Sequence, residues 1–223
     1  MKRLIDIVLS GLAMLVFSPL LIPVATVLRL TGEGEIFYRQ DRVGKGGKTF
    51  GLLKFATMLK DSPNVGTGLL TIKGDPRVLP VGRFLRKTKI NELPQLINIF
   101  LGDMSIIGPR PQTQNHFDLF PEEMRKRIVE VRPGLSGLGS IVFRDEENIL
   151  TSSPKGHDRC FAEDITPYKG ELEIWYLNHR STRLDFLLIF ITFWVVLFPE
   201  SRVYRQWLKN LPEPPEALRG LVK

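Results

Sequence analysis

The fold is decided by residues 7–28, IVLSGLAMLVFSPLLIPVATVL, a run of 22 residues without a charged side chain. A straight α-helix of this length rises about 33 Å, which is enough to cross a hydrocarbon core of about 30 Å. Lys2 and Arg3 precede the run and Arg29 closes it. The first 30 residues therefore predict a membrane-embedded helix.

Two features argue against a simple crossing. Ser18-Pro19 lies at the middle of the run and Pro23 follows one turn later, and each proline should kink the helix because it removes a backbone donor and clashes with the preceding turn. The chain after residue 30 carries 28 Lys and Arg against 23 Asp and Glu, so positive charge does not distinguish the two ends of the run. We expect a re-entrant helix over residues 1–30 that breaks at Ser18-Pro19. A single-span anchor and a signal peptide are the alternatives.

The composition is that of a folded protein. Of 223 residues, 43% are hydrophobic and 25% are charged, and 31 Lys and Arg against 24 Asp and Glu leave a net charge of +7. A chain of this composition is not disordered. The single Cys160 excludes an intrachain disulfide framework and a multi-cysteine metal site. The excess positive charge favours anionic partners, such as lipid headgroups, and we expect no nucleic-acid partner.

A second apolar run, FLLIFITFWVVLF at residues 186–198, is too short to span a bilayer. It is typical of a buried core helix or of an interfacial helix, and the sequence leaves both open. An interfacial position would place nearby aromatic rings at headgroup level and nearby cations against anionic lipid. These residues are Trp194, Tyr204 and Trp207, and Arg202, Arg205 and Lys209.

The part between the two runs is polar and rich in glycine turns, with short strand-like stretches such as the one from Glu35 to Tyr38. We predict an α/β fold that is mainly α, with a compact domain over residues 31–198 that carries amphipathic interfacial helices. Residues 199–223, which include the proline-rich residues 212–215, are predicted to form a C-terminal surface tail.

The best-defined helix of this domain is predicted to begin near Asn91, a good N-cap residue. Pro94 is tolerated there because it lies in the first turn. Apolar residues follow at helical spacing. They are Leu93, Leu96, Ile97, Phe100 and Leu101.

Basic residues lie on both sides of this helix. Arg83, Arg86, Lys87 and Lys89 precede it, and Arg110 follows in a Pro-Arg-Pro turn. A helix N-terminus and a guanidinium on a restricted turn both suit phosphate. Arg110, Arg86 and Lys87 are therefore candidates for binding substrate phosphate, although an arginine on a loop is more often simply solvated.

Residues 144–147, Arg-Asp-Glu-Glu, form the densest carboxylate cluster of the domain. Like charges this close need a cation, a metal ion or free water. A solvated surface turn and a metal-assisted site are both open. Carboxylates beside phosphate-binding cations are the groups that serve Mg²⁺-assisted phosphoryl transfer.

Several motifs occur in a fixed order along the chain. They are Lys2-Arg3-x-x-Asp6, Ser18-Pro19, Phe37-Tyr38-Arg39-Gln40-x-Arg42-Val43-Gly44, Lys54-Phe55, Asp75-Pro76-Arg77, Leu85-Arg86-Lys87-Thr88, Glu92-Leu93-Pro94-Gln95-Leu96, Gly102-Asp103-Met104-Ser105-x-x-Gly108-Pro109-Arg110-Pro111 and Arg132-Pro133-Gly134-Leu135-Ser136-Gly137. In these motifs the chain resembles the bacterial sugar transferases of the monotopic phosphoglycosyl transferase superfamily, from Lys2 to about Phe198.

The resemblance implies an enzyme that moves a sugar-1-phosphate from a UDP-sugar to undecaprenyl phosphate, releases UMP and begins glycan assembly, with Mg²⁺ as cofactor. It implies a monotopic protein on the cytoplasmic face of the bacterial inner membrane. In such proteins the Ser-Pro pair breaks a re-entrant helix, and amphipathic helices place the active site against membrane lipids. The identity of the sugar and the formation of a homodimer are left open.

One departure from the family pattern affects the chemistry. The family has an Asp-Glu dyad whose Asp attacks the β-phosphate, whereas this chain reads Asn91-Glu92, and a neutral amide cannot be that oxygen nucleophile. A second departure is Ala56, where the family usually has Arg. Glu92 or Asp145 would then take over, or the lipid phosphate would attack directly. The remaining alternative is a catalytically impaired membrane scaffold of a glycan-assembly complex.

Position in the motifs also implies roles for other residues. Glu92 matches the second acid of the dyad and is expected to be a Mg²⁺ ligand or an electrostatic partner. Arg110 matches the phosphate-binding arginine of the family. Arg86 and Glu173 match a pair that ties the helix before the dyad to a later acidic residue. Asp103 is expected to support the site structurally.

Overall fold

The structure, a computed structural model, describes residues 1–68 and 70–222 and is mainly helical. The strands are β1 (Phe37–Val43), β2 (Thr49–Phe55), β3 (Ser105–Ile107) and β4 (Gly134–Ser136). The α-helices are α1 (Lys2–Leu30), α2 (Pro80–Lys87), α3 (Gln95–Leu101), α4 (Gln114–Phe117), α5 (Glu122–Ile128), α6 (Leu138–Val142), α7 (Glu146–Ser152), α8 (His157–Arg159), α9 (Thr166–His179), α10 (Thr182–Leu197) and α11 (Val203–Trp207). Short 3₁₀ turns lie at Lys45–Gly47, Ser62–Asn64, Ile90–Glu92 and Glu216–Leu218, and a π-helical segment lies at Cys160–Ile165.

The strands form two small sheets. β1 and β2 pair as an antiparallel hairpin whose register sets Tyr38 opposite Lys54. β3 and β4 pair in parallel, with Ser105 opposite Gly134. The predicted strand around residues 35–38 therefore begins at Phe37 and extends further toward the C-terminus than expected.

Helix α1 runs through both of its prolines, Pro19 and Pro23, so the predicted break at Ser18-Pro19 is not confirmed. Pro19 has no N–H to donate to the carbonyl of Leu15, four residues earlier. The Ser18 hydroxyl donates to that carbonyl instead, at 2.8 Å. A nearby side chain thus satisfies the acceptor that the proline leaves open, which explains how the helix continues. Within the described residues, α1 is the one helix long and apolar enough to cross a membrane.

The first turns of α1 are fixed to the domain by polar contacts. Lys2 Nζ lies 2.6 Å from Asp185 Oδ2 at the start of α10. The buried Asp6 accepts hydrogen bonds from Ser105 Oγ and from the backbone N–H of Ile106, both at 3.0 Å. Arg3 donates to the carbonyls of Ile99 and Phe100 in the last turn of α3, where carbonyls lack the usual i+4 donor. The first motif of the chain therefore attaches α1 to the domain.

The rest of α1 also packs against the domain. Met14 and Phe17 contact the cluster of buried side chains that includes Ile99 in α3. Near the other end of the helix, Leu28 packs with Phe55 and Leu85. Helix α1 thus contacts one domain from its first turn to its last.

The largest core lies around α6, α9 and α10. Its fully buried side chains include Leu138, Leu172 and Ile191, one from each helix. Residues 199–222 contribute four more buried side chains to the same core, so this part of the chain does not form the surface tail that we predicted. They are Tyr204, Leu208, Leu218 and Val222. Two of these side chains precede the prolines at residues 212–215 and two follow them, so the apolar residues on both sides of the prolines pack into the core.

Helix α10 has two apolar faces with different surroundings. One face is buried in the core through Leu188, Ile191 and Val195. The other is exposed, and the predicted second apolar run is thus half core helix and half surface. The exposed side chains of this helix are Phe186, Phe190, Phe193, Trp194, Val196 and Leu197.

Helices α1 and α3 expose apolar side chains too. Helix α3 buries Leu96 and Ile99 and exposes Ile97, Phe100 and Leu101. A large exposed apolar surface on a folded domain marks an interaction site for a membrane or another apolar partner. The exposed apolar residues of α1 include Leu4, Val8, Leu12, Leu15, Val16, Leu20, Ile22 and Val27.

Candidate active site

The predicted dyad position lies in a 3₁₀ turn at Ile90–Glu92, before the helix rather than at its start. Helix α3 begins at Gln95, four residues later than predicted, with Pro94 at its N-cap. Asn91 makes no side-chain cap bond; it is buried, and within the described residues its Oδ1 has no hydrogen-bond partner. The expectation of an Asn91 N-cap is therefore wrong, because the tight turn places this side chain inward.

Helix α3 is attached to strand β2 by the side chain of Asn98. Its Oδ1 accepts from the backbone N–H of Leu53 at 3.0 Å, and its Nδ2 donates to the carbonyl of Gly51 at 2.9 Å. Asn98 Nδ2 also lies 3.3 Å from Asp103 Oδ2. Asp103 thus contacts the residue that holds α3 against the strand carrying Lys54.

Glu92 lies between two cations. Arg110 Nη2 donates to Glu92 Oε1 at 2.7 Å, and Lys54 Nζ lies 3.5 Å from the same oxygen. Burial opposes ionisation of Glu92, but attraction to Arg110, Lys54 and Lys89 outweighs it and holds the pKa of the carboxyl well below its usual range. Glu92 is therefore ionised at neutral pH.

Lys54 is the most perturbed cation of the site. Burial lowers the pKa of its amine to about 7, and repulsion by Arg110, Arg42 and Arg86 acts in the same direction against the attraction of Glu92. Burial and repulsion by Arg110 likewise lower the pKa of Arg42 to about 10. One carboxylate faces a group of cations, an arrangement that a bound polyanion would stabilise.

Sequence reasoning placed Lys54 and Arg42 in motifs but did not assign them to the site. Both lie in the β1–β2 hairpin, where the strand register directs them to the same cavity as Glu92 and Arg110. A signal was present in the sequence, since Lys54 interrupts an otherwise apolar strand between Leu53 and Phe55. A charged residue in such a strand indicates a buried ionic partner.

Arg86 pairs with Glu147 and not with Glu173. Its Nη2 donates to Glu147 Oε1 at 2.7 Å, so the Arg86–Glu173 pair that we expected is wrong. The acidic partner comes instead from the acidic run at residues 144–147. Lys87, the other predicted phosphate ligand of this segment, is exposed at the edge of the cavity.

Glu173 supports the backbone beside Arg110. It is buried, and its Oε1 accepts from the backbone N–H of Arg110 at 3.4 Å. A Cβ at Gly139 would lie 2.6 Å from the same oxygen, so glycine there makes room for the carboxyl. Burial raises the pKa of Glu173 to about 7, although hydrogen bonds from Arg110 and Gly139 and the charge of Lys169 lower it.

The three carboxylates of residues 144–147 each have a different partner. Glu147 pairs with Arg86, and Glu146 Oε2 lies 2.5 Å from Lys169 Nζ. Asp145 accepts from Asn148 at 2.6 Å at the start of α7. Over residues 1–68 and 70–222, no group of three or more His, Cys, Asp and Glu side chains forms a metal site. Two of the three carboxylates are thus in ion pairs, and the third accepts from an amide.

All of the predicted catalytic residues line one cavity of about 1900 Å³. Its polar part contains Asn91, Glu92, Arg110 and Asp145. Its apolar part is lined by side chains of α1 and α10. The site can therefore bind an anion beside an apolar group.

Comparison with known proteins identifies the family. The family model described as Bacterial sugar transferase matches residues 1–199. The chain is 36% identical over 200 residues to a UDP-N-acetylgalactosamine-undecaprenyl-phosphate N-acetylgalactosaminephosphotransferase of Aeromonas hydrophila, covering 88% of this chain and 43% of the relative. It is 34% identical over 194 residues to a UDP-glucose:undecaprenyl-phosphate glucose-1-phosphate transferase of Klebsiella pneumoniae, covering 86% and 39%.

A shorter relative is similar over more of its own length. The exopolysaccharide production protein ExoY of Rhizobium meliloti (strain 1021) is 34% identical over 164 residues, covering 67% of this chain and 72% of the relative. The chain spans about two fifths of the length of the first two relatives. On the match over residues 1–199, the chain belongs to the bacterial sugar transferase family.

Proposed function

We propose that this protein transfers a sugar-1-phosphate from a UDP-sugar to undecaprenyl phosphate, with release of UMP, as the first step of glycan assembly. The observation that carries this proposal is the cation cluster around Glu92 in a cavity that continues into an apolar region. A diphosphate fits the cations, and a lipid phosphate fits the junction of the polar and apolar parts. The names of the relatives support both substrates.

The diphosphate would bind to the cations that face Glu92. Arg110 offers a planar guanidinium on a restricted turn, and Lys54 and Arg42 come from the adjacent hairpin. Their charges oppose the negative charge that develops on the phosphoryl oxygens during transfer. When Arg110 binds a phosphate oxygen instead of Glu92, the Glu92 carboxylate would be free to orient the incoming lipid phosphate.

We favour direct attack by the lipid phosphate over a covalent enzyme intermediate. Asn91 carries a neutral amide, and Glu92 is held by two cations that lower the basicity of its carboxylate. Asp145 is bonded to Asn148. In direct attack, an oxygen of the lipid phosphate forms the new bond to the β-phosphorus while the bond to the bridging oxygen breaks and UMP leaves.

Mg²⁺ is the proposed cofactor, with Glu92 as its protein ligand. A set of one carboxylate beside a diphosphate fits this ion, since Mg²⁺ is usually bound by one or two carboxylates plus substrate phosphates. When bound, it would neutralise charge on the diphosphate. Glu92 would orient the ion, and Arg110 would hold the phosphate oxygens that remain.

We also propose a monotopic protein on the cytoplasmic face of the inner membrane. Both ends of α1 contact the same domain, at Lys2–Asp185 and at Leu28–Phe55, which supports a helix that enters one leaflet and does not carry its ends to opposite sides. The re-entrant break at Ser18-Pro19 would then form in the bilayer. In a Cys160→Ser background, a cysteine inserted directly after Met1 or placed at Thr31 is labelled in intact spheroplasts with an impermeant maleimide. Both should stay unlabelled, and labelling of one end alone contradicts the monotopic topology.

Activity is tested with purified protein, Mg²⁺, undecaprenyl phosphate and a panel of UDP-sugars. We expect release of UMP together with transfer of radiolabel into the lipid fraction. Release should require both substrates, as direct attack demands. Absence of UMP with every sugar of a broad panel would favour the non-catalytic scaffold, whereas the retained charge cluster at Glu92 supports the enzyme because a scaffold has no physical need for it.

A further inference from the structure

The backbone of residues 109–111, Pro-Arg-Pro, has a single hydrogen-bond donor. Proline has no backbone N–H, so the N–H of Arg110 is the one donor that these three residues offer. The carbonyls on either side of it are held by neighbouring residues. Pro109 accepts from the N–H of Gly134 at 2.8 Å, and Pro111 accepts from Arg42 Nη1 at 3.2 Å. The placement of Arg110 between them therefore depends on the acceptor of its own N–H.

Glu173 is that acceptor. Its Oε1 lies 3.4 Å from the Arg110 nitrogen, and the side chain is 4% exposed. The carbonyl of Pro109 and the N–H of Arg110 belong to the same peptide unit. This unit is thus held at both edges, by Gly134 of β4 at the carbonyl and by Glu173 of α9 at the N–H. A planar unit held at both edges resists rotation, which fixes the direction in which the Arg110 side chain leaves the backbone.

The helix that carries Glu173 is firmly packed. Leu172, its neighbour in the chain, is fully buried in the main core, and Tyr176 is buried one turn later. Helix α9 also packs against α6, where the backbone of Gly139 makes a further hydrogen bond to the Glu173 carboxyl. Glu173 is therefore held by two helices while it contacts the Arg110 turn.

The contact between Glu173 and the turn opposes stability in two ways. Within the described residues, the buried Glu173 Oε2 has no hydrogen-bond partner, and a buried acceptor without a donor is unfavourable. Glycine at position 139 forms a helix less readily than alanine, yet a Cβ there would lie 2.6 Å from Glu173 Oε1. A carboxyl that is kept despite both effects indicates a role other than stability.

We propose that Glu173 is a positioning residue for the transfer reaction, because it holds Arg110 in the direction of Glu92 and the substrate diphosphate. The inference rests on the proposed function. Arg110 Nη2 donates to Glu92 Oε1 at 2.7 Å, so the backbone of Arg110 is bonded to α9 and its guanidinium to the site. Glu173 does not line the cavity. Its effect on the reaction therefore passes through Arg110.

The test disturbs this acceptor in two independent ways. Glu173→Met keeps an unbranched side chain of similar length but removes the carboxyl. Gly139→Ala leaves Glu173 in the chain and displaces its carboxyl, because the added Cβ would lie 2.6 Å from Oε1. Glu173→Gln keeps an acceptor for the Arg110 N–H and is the conservative rescue. The control is Tyr168→Phe, which removes a hydrogen bond that the buried Tyr168 of the same helix makes to the Pro212 carbonyl.

Glu173→Met and Gly139→Ala should lower kcat/KM for UMP release roughly tenfold, since a small displacement of a group in the site is enough for such a loss. Glu173→Gln and Tyr168→Phe should stay within about threefold of the parent. In an Arg110→Ala background, Glu173→Met should change kcat/KM by less than about twofold, because the residue through which it acts is gone. A further tenfold loss in that background would overturn the proposal, since it would reflect a general structural effect.

Binding of UDP separates this inference from the proposed function. UDP carries the diphosphate that all UDP-sugars share, and isothermal titration calorimetry without Mg²⁺ measures its affinity without turnover. Glu173→Met should weaken UDP binding in the parent and leave it unchanged in Arg110→Ala. That pattern without UMP release from any UDP-sugar would support the positioning role and overturn the proposed transfer. If neither kcat/KM nor UDP affinity shows coupling between Glu173 and Arg110, the positioning role is overturned, while UMP release by the parent still supports the transfer.

Discussion

Glu92 Oε1 accepts a hydrogen bond from Arg110 at 2.7 Å and lies 3.5 Å from Lys54 Nζ. The three residues come from the turn before α3, the loop after β3 and strand β2. Two cations thus share one oxygen of a single carboxylate. Loss of that carboxylate leaves a cluster with more positive charge and without its internal anion.

Glu92→Gln should separate binding from turnover. Measured without Mg²⁺, binding of UDP-sugar should be at least as tight as in the parent, because the anion that competes for Arg110 is gone. The value of kcat should fall roughly 100-fold, since a charged group that orients the reacting phosphates is lost. Isothermal titration calorimetry and UMP release measure the two effects, with Glu171→Gln on the exposed face of α9 as the control. Full activity of Glu92→Gln would refute a central role for this residue.

Arg110→Ala should reduce kcat/KM by roughly 10²–10³, the range found when one donor to a developing charge is removed. Arg110→Lys should recover part of the loss, because lysine restores the charge but not the planar pair of donors. Steady-state UMP release gives both values. Arg159→Lys, at an exposed i,i+4 pair with Glu163, is the matched control and should leave the rate unchanged. Equal rates for Arg110→Lys and the parent would show that geometry at this position is unimportant.

Hydrophobic periodicity predicted helices correctly but could not assign their surroundings. The stripe of Ile97, Phe100 and Leu101 reads in sequence like a core face, yet these side chains are exposed while Leu96 and Ile99 are buried. Lipid and a protein core are both apolar, so a helix that faces either one has the same spacing of apolar residues. The packing of α3 against α1, β2 and β4 distinguishes the two faces.

The site was predictable where it depends on local chemistry and not where it depends on pairing across the fold. Arg110 on its Pro-Arg-Pro turn was assigned from sequence, and the structure places it beside Glu92. The partner of Arg86 was not, because Glu147 and Glu173 are both distant acids and only tertiary structure selects Glu147. The hydrogen bond from the Ser18 hydroxyl to the Leu15 carbonyl, beside Pro19, was not predicted from the sequence either.

Glu173 should make stability depend on pH in a defined direction. Its pKa is about 7 in the folded protein against 4.5 as the ordinary value, so the folded state binds the extra proton between these pH values. Stability should therefore fall as pH rises from 4.5 to 7, and the loss should be complete above 7. A shift of this size corresponds to roughly 3 kcal/mol.

The comparison of the parent with Glu173→Gln isolates this contribution. Gln keeps an acceptor for the Arg110 N–H but carries no charge, so its free energy of unfolding should exceed that of the parent at pH 8 and match it near pH 4.5. Urea unfolding in detergent at several pH values measures the difference. Glu171→Gln, two residues away and exposed, should show no such pH dependence. A constant difference across the pH range would mean that Glu173 does not titrate there.

Asn91→Asp should change the route of the reaction. A carboxylate at this buried position would lie in the field of the site cations and stay ionised, and the family resemblance assigns that position to the nucleophile. With UDP-sugar and no acceptor, the variant should release UMP and gain the mass of a sugar phosphate, while the parent should do neither. Intact-protein mass spectrometry measures the adduct. Asn178→Asp is the control, because Asn178 is exposed on α9 and its side-chain oxygen only accepts from Arg127. An adduct on the parent would contradict direct attack.

The Ser18 hydroxyl should stabilise α1 only when Pro19 follows it. The hydroxyl donates to the Leu15 carbonyl that Pro19 leaves without an N–H, so Ser18→Ala should cost about 1 kcal/mol in the parent. In a Pro19→Ala background the restored N–H bonds to that carbonyl, and Ser18→Ala should cost close to nothing. Thermal unfolding of the four proteins in detergent micelles, outside a bilayer, completes the double-mutant cycle, with an expected coupling of about 1 kcal/mol. Thr26→Ala, whose hydroxyl donates to Ile22 within an ordinary helical turn, is the control. Equal costs of Ser18→Ala in both backgrounds would show that the hydroxyl does not replace the missing donor, and the continuity of α1 would then need another cause.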